Sequence, residues 1–209
     1  MASPQPKLPA RYTVEEYLAL EETADQRHEF YQGEVWAMAG ATALHNELCY
    51  NCTASLKGAA RKQGCKVYSE NVQLAVADGR FYTYPDVMAT CHDEDVQAER
   101  TMRNPVLLIE VLSPSTADYD RVWKRFRYQQ LPSLRHYLLV SQQYQAVDWY
   151  HRASDTADWQ HQVLTMPDEA AEIPELATRL LLADIYAELG IPLVTDDNAG
   201  MEKPNGRPE

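Results

Sequence analysis

The segment Asn104-Pro105-Val106-Leu107-Leu108-Ile109-Glu110-Val111-Leu112-Ser113-Pro114-Ser115 constrains the chain more than any other. Four apolar residues lead straight into a carboxylate, and prolines bound the run on both sides. An apolar run this short reads as a strand buried on both faces. Glu110 falls inside that strand, where an ionised carboxylate is costly unless it is paired or holds a metal ion. Twenty-four positions earlier (110 − 86), Asp86 follows Tyr84-Pro85 and leads into Val87-Met88-Ala89. Two strand-borne acids, with a cationic helix at 121–127 just downstream, are the chemistry this chain presents.

At 209 residues the chain suits one sizeable domain. Apolar residues make up 45% and charged residues 24%, as a packed core requires. A net charge of −12 argues against a general nucleic-acid coat protein, which would be basic, but leaves room for an enzyme with a small cationic groove. No stretch reaches the ~18 apolar residues of a membrane span, and residues 1–9 lack an apolar signal core. A cytoplasmic location without membrane association is therefore expected, with Cys49, Cys52, Cys65 and Cys91 as reduced thiols. Cys49-Tyr50-Asn51-Cys52 has CxxC spacing without a second pair, and it reads as core packing rather than zinc or redox chemistry.

Taken in order, residues 1–11 are Pro-rich and expected to be loose, 12–192 form the single domain, and 193–209 are expected to be a disordered tail. Thr13-Val14-Glu15-Glu16 is a capping box opening a helix to about Glu22, read as a lid on the core. His28 to Met38 reads as a hairpin turning at Gln32-Gly33, with Glu34 opening its second strand. Thr42 caps a helix over Ala43–Lys62, whose buried stripe is Leu44, Leu48, Cys52, Leu56 and Ala59. Strands are expected at Cys65–Ser69, at Val72–Val76, and from Phe81 to about Cys91 with a bend at Pro85. Asp93 to Glu99 reads as a solvated acidic loop. A helix over about Ala117–Gln130 follows the Glu110 strand and carries Arg121, Lys124, Arg125 and Arg127; a salt-bridged solvent face is the plain account of them. Strands are then expected at His136–Ser141, Ala146–Arg152 and Trp159–Met166, with a closing helix at Leu181–Leu189.

Two hard carboxylates beside a backbone carbonyl are what Mg²⁺ or Mn²⁺ accepts. Such an ion activates water and offsets charge on a phosphoryl oxygen, and a nearby lysine orients the water or stabilises developing charge. That set suffices for phosphodiester hydrolysis, although two buried acids also serve as structural ion pairs. His45, Cys49 and Cys52 share one side of their helix and form a minor zinc alternative, weakened by the poor tetrahedral geometry of one helix. His45 lies in a first helical turn, beside the positive helix end, which disfavours its protonation.

Tyr84-Pro85-Asp86 followed by Glu110-Val111-Leu112-Ser113-Pro114-Ser115 resembles the Uma-type (Uma two) family of bacterial endonucleases, within the PD-(D/E)XK restriction-endonuclease-like superfamily. Tyr12-Thr13-Val14-Glu15-Glu16-Tyr17-Leu18, Gly33-Glu34-Val35, His45-Asn46, Tyr119-Asp120-Arg121, Lys124 with Tyr128, and Leu131-Pro132-Ser133-Leu134 match in the same order, over roughly 12–191. The resemblance implies an α/β (α+β) fold: a mixed sheet core flanked by helices, with an added N-terminal helix and β-hairpin. It implies Asp86 and Glu110 as metal ligands with the Val111 carbonyl as a third, and assigns Glu34 and His45 to the same site. The D/E-x-K lysine is absent, since position 112 is Leu; Lys124, 14 positions after Glu110 (124 − 110), is its replacement from the following helix. The expected activity is a Mg²⁺-dependent (or Mn²⁺-dependent) endodeoxyribonuclease, and the alternative is a catalytically idle nucleic-acid-binding or regulatory module. DNA contacts are expected from Arg121, Arg125, Arg127 and Tyr128. A homodimer would match the two strands of a duplex, with Trp149, Tyr150 and Trp159 as interface candidates that core packing explains equally well.

Overall fold

The computed structural model describes residues 11–38, 40–114 and 116–195. Most of the expected loose N-terminus and tail, 1–10 and 196–209, lie outside the described residues. Helix α1 (Val14–Thr23) starts as its capping box dictates: the Glu16 amide donates to the Thr13 hydroxyl at 3.2 Å, and the Thr13 amide donates to the Glu16 carboxylate at 2.8 Å. Strands β1 (His28–Tyr31) and β2 (Glu34–Ala37) form the expected hairpin. Its two turn residues, Gln32 and Gly33, both have positive φ, as the tight hairpin turn demands. Helix α2 (Ala43–Lys62) has the expected bounds and the expected Thr42 cap.

Strands β3 (Lys66–Ser69), β4 (Gln73–Val76), β5 (Phe81–Thr83) and β6 (Val87–Thr90) follow. The run expected as one bent strand divides at Pro85, and β5 and β6 lie in different sheets. Proline has no amide for a ladder, so the chain leaves one sheet for the other there. The acidic segment folds into α3 (Asp93–Gln97) rather than a solvated loop. Asp95 is buried and accepts the amides of Arg103 at 2.9 Å and Asn104 at 2.7 Å, which ties α3 to the entry of the next long strand. After β7 (Thr101–Met102) comes β8 (Pro105–Leu112), and then a helix whose middle is a π-turn, Tyr119–Lys124, continuing as α4 (Arg125–Tyr128). Strands β9 (His136–Ser141), β10 (Val147–His151) and β11 (Gln160–Leu164) match expectation. Strands β12 (Ala170–Ile173) and β13 (Thr178–Leu181) were not foreseen, and the closing helix α5 (Leu182–Ile185) is shorter than predicted.

The six-stranded sheet runs β11-β10-β9-β8-β6-β3, with β8 inside it, parallel to β9 and antiparallel to β6. The five-stranded sheet runs β2-β1-β5-β4-β7, and β12-β13 form a separate pair. Alternation along β8 divides its side chains between two cores. Leu107, Ile109 and Val111 join α2, α5 and the β12-β13 pair in one cluster. Leu108 and Leu112 join Leu74, Phe81, Tyr128 and Tyr137 in the other. Glu110 alternates with this second set, so it enters the apolar layer between the larger sheet and the π-turn helix. A third cluster packs Tyr17 of α1 on Phe30, Val35 and Tyr82. Each such aliphatic side chain contributes ~1.5–3 kcal/mol by leaving water.

Cys65 and Cys91 form a disulfide, which corrects the expectation of four reduced thiols. They flank the Lys66↔Thr90 pair of β3 and β6, and this register brings their Cα atoms to 4.2 Å. Cys49 and Cys52 are free and buried, as core packing predicts. Among the described residues no helix is long and apolar enough to cross a membrane.

Candidate active site

Glu110 is 3% exposed, and its carboxyl meets two groups from the following helix. Its Oε1 accepts the Tyr128 hydroxyl at 2.9 Å and lies 3.2 Å from the Lys124 ammonium. Both partners come from the π-turn helix packed over the sheet. Lys124 Nζ is also 3.1 Å from Glu29 of β1 and 3.3 Å from Asp120, one helical turn back. Glu29 is held in turn by Thr83 of β5, which donates at 2.6 Å, and by the Tyr119 hydroxyl at 3.1 Å. Strand β8, the hairpin, β5 and the helix thus converge on one ammonium group.

Among the described residues, three carboxyl groups of this cluster meet one ammonium. Glu110, Glu29 and Asp120 share one lysine, and the Asp120 Oδ1 atom is buried without a hydrogen bond. Burial pushes the Glu110 carboxyl well above the usual carboxylate range; Lys124 opposes this, and Asp86, Asp120 and Glu29 add to it. Asp120 is raised by burial in the same way, again against Lys124. Burial works to lower the Lys124 pKa, but Glu110 and Glu29 outweigh it and hold the group well above its ordinary value. Lys124 is therefore a fixed cation and not a base.

Asp86 stands where β6 begins, beside the Glu110 strand. Its Oδ2 accepts the Val111 amide at 2.7 Å and lies 3.1 Å from His45 Nε2. The amide and carbonyl of one strand residue point to the same side, so the Val111 carbonyl faces the Asp86 gap as well. His45 sits in the first turn of α2, with Cys49 Sγ 3.5 Å from its Nδ1. Burial raises the Cys49 pKa strongly, so the thiol keeps its proton. The thiol lies against Nδ1, and Nε2 faces Asp86. Protonation of His45 is not disfavoured as its helix position suggested: burial opposes it, but the hydrogen bond and charge of Asp86 outweigh burial and raise the pKa.

The sequence-predicted residues divide clearly. Asp86, Val111 and His45 meet at one point, and Glu110 and Lys124 at another beside it. Glu34 lies on the same hairpin face as Glu29 but at its turn end, opposite Tyr31, so the hairpin acid at the lysine is Glu29. Glu29, Asp120, Tyr119 and Thr83 were not named as site residues from sequence; the signals available were the Tyr119-Asp120-Arg121 piece and the placing of Asp120 one helical turn before Lys124. Tyr128, expected at the nucleic-acid surface, is fully buried because its hydroxyl supports Glu110. Arg121 is paired with Asp148, the Arg125 guanidinium lies 4.8 Å from the Tyr150 ring centre, and that of Arg127 3.5 Å from the Trp123 ring centre. Trp149 and Tyr150 are core residues and offer no docking face. The soft-ligand cluster contains His45, Cys49 and Asp86, with ligand atoms within 4.8 Å of one another, rather than Cys52.

The donor chemistry fits a hard divalent ion. Among the described residues the hydrogen bonds to these acids use Oδ2 of Asp86 and Oε1 of Glu110, which leaves Oδ1 and Oε2 as the oxygens an ion would take. Oxygen ligands together with an excess of carboxylates over cations are the setting that such ions require.

Comparison with known proteins gives the fold and the family. A crystal structure of a putative nuclease from Anabaena variabilis superposes with a TM-score of 0.67 at 16% identity, covering 84% of this chain and 97% of that one. The fold is therefore restriction-endonuclease-like. Two uncharacterized Synechocystis proteins are each 34% identical: slr1290 over 76% of this chain and 80% of its own length, and sll1609 over 68% and 82%. The model of the Uma2 family, described as putative restriction endonuclease, matches residues 14–185, and the chain belongs to that family.

Proposed function

We propose that this chain is a Mg²⁺-dependent endodeoxyribonuclease. The observation that carries the reading is the buried Glu110 carboxylate with Lys124 Nζ at 3.2 Å, next to an Asp86 carboxylate fixed by the Val111 amide at 2.7 Å. Asp86, Glu110 and the Val111 carbonyl are the groups that would hold the ion; when bound, it supplies Lewis acidity toward water and the scissile phosphate. Lys124 is a permanent ammonium donor, suited to orient the attacking water or to offset charge on the phosphoryl oxygens. His45 holds the Asp86 carboxylate in place from the α2 side. Glu29 and Asp120 hold the lysine. In hydrolysis the water oxygen bonds to phosphorus, the phosphodiester P–O bond breaks, and the departing oxygen is protonated. Glu34 joins the site only at its margin, from the turn end of the hairpin. A two-fold dimer would present such a site to each strand of a duplex.

The test is cleavage of plasmid and linear DNA with and without Mg²⁺ or Mn²⁺, for the wild type and for Asp86→Asn and Glu110→Gln. Metal-dependent cleavage lost in both variants supports the reading. Equal cleavage by all three proteins would sink it. Calorimetric titration with Mn²⁺ separates an enzyme from an idle module, because an idle module would take up no ion.

A further inference from the structure

A second feature lies beside the acidic cluster, on the outer side of the π-turn helix. Tyr31 of β1, Arg80 just before β5 and Phe81 at its start, Phe126 and Arg127 of the helix, and Gln130 just after it line a shallow cleft of about 460 Å³, including its open mouth. Its character contrasts with the rest of the molecule. The chain carries −12, yet the lining of the cleft holds two arginines and no acid. Phe126 is 66% exposed on a helix that buries Tyr128 and half-buries Trp123. The Arg127 guanidinium lies 4.5 Å from the Tyr31 ring centre and 3.5 Å from that of Trp123, and Trp123 stacks on Tyr119 at 4.8 Å. The cleft thus carries the Arg127 guanidinium over the Tyr31 ring, with the Tyr31 and Phe81 rings edge-on to Trp123 behind them.

Flat apolar faces with arginine edges are the chemistry that receives a nucleobase and its phosphate. Bases within a duplex have their faces already stacked, so such a surface selects bases that are not. The position is also apt. Tyr31 follows Glu29 by two residues in one strand, a step of about 7 Å, and Glu29 contacts Lys124 at 3.1 Å.

We propose that this cleft seats one unpaired nucleotide of the substrate strand, its base against Phe126 and Tyr31 and its phosphate against Arg80 and Arg127. The substrate class is then single-stranded or locally unwound DNA rather than uninterrupted duplex. This rests on the nuclease reading above, but it is tested by binding and not by cleavage.

The experiment is fluorescence anisotropy with a short fluorescein-labelled oligothymidylate and a mixed-sequence duplex of equal length, in EDTA so that no strand is cut. The single strand should bind more tightly than the duplex. Phe126→Ala should weaken single-strand binding on the order of 10-fold, as expected for one lost base-stacking contact, and leave duplex binding nearly unchanged. Arg80→Ala, at an exposed position, should weaken it further, while Val122→Ala, an exposed apolar control outside the lining, should not. Comparable binding of an oligouridylate supports the cleft equally, because base and phosphate are the groups it reads. Duplex binding as tight as single-strand binding, or unchanged affinity in both Phe126→Ala and Arg80→Ala, overturns the proposal. So does sedimentation showing self-association that Phe126→Ala abolishes while oligonucleotide binding persists, since the ring would then belong to an interface between copies. If DNA cleavage survives loss of Asp86 and Glu110 while these binding results hold, the catalytic assignment fails and the cleft stands.

Discussion

The Val111 amide donates to Asp86 Oδ2 at 2.7 Å, joining the start of β6 to the strand that carries Glu110. Asp86 therefore has two separable roles: it accepts a backbone hydrogen bond, and it offers an anionic oxygen. Asn can keep the first and not the second. Asp86→Asn should stay within about 1 kcal/mol of wild-type stability and lose Mn²⁺ binding, whereas Asp86→Ala strands a buried amide and should cost about 1–3 kcal/mol more. Denaturant unfolding and calorimetry on the same preparations check both halves.

Lys124 is the cation that three buried carboxylates share. Replacing it with Met keeps the volume and removes the charge. Lys124→Met should lower DNA cleavage on the order of 10²–10³-fold, as when one preorganised donor to a transition state is lost. It should also destabilise the fold by about 3–5 kcal/mol at neutral pH, because carboxylates are left buried without a partner. Unfolding curves and single-turnover cleavage measure the two losses separately.

The disulfide between Cys65 and Cys91 closes a loop with a sequence separation of 26. A cross-link of that span stabilises by about 3 kcal/mol in the chain-entropy account. Dithiothreitol should lower the melting temperature of the wild type and have little effect on a Cys65→Ala/Cys91→Ala double variant. Equal sensitivity of the two proteins would contradict this.

A pH effect arises away from the catalytic cluster. Trp149 Nε1 donates to His136 Nδ1 at 3.3 Å, so the His136 ring proton is on Nε2, which faces Glu175 at 2.8 Å. Burial works to raise the Glu175 pKa, but the hydrogen bonds from His136 and a backbone amide, together with the charges of His136 and Arg135, outweigh it, and the pKa lies below its ordinary value of 4.5. A depressed carboxylate pKa gives stability that is present above the unfolded value and lost as pH falls through the folded one. Wild-type melting temperature should therefore drop on acidification below about pH 4.5, and Glu175→Gln should show a shallower drop. Thermal melts across the acid range give the comparison.

Much of the frame could be read before the fold was known. The proline-bounded apolar run forced β8, and Thr13 and Thr42 located two helix starts, because caps and buried runs are local properties. The identity of Lys124's partners was not local. Glu29 and Glu34 share one hairpin face, and only the docking of the hairpin on β5 decides which of them reaches the lysine. The thiols were assigned from compartment, whereas the β3–β6 register decided the pairing of Cys65 with Cys91. Strand β12 begins Ala170-Ala171, residues with little strand preference, and it forms because β13 pairs with it over α2.

The π-turn at Tyr119–Lys124 has a consequence for descent. Such a turn is what an α-helix becomes when it takes in one extra residue. A lineage that dropped a single residue here would recover a regular helix and swing the ammonium by about 100°. Its apolar layers and its inventory of acids and cations could survive intact, and it would still be recognised as kin. In this chain the placing of the Lys124 ammonium can thus be lost through length alone, without the substitution of any charged residue.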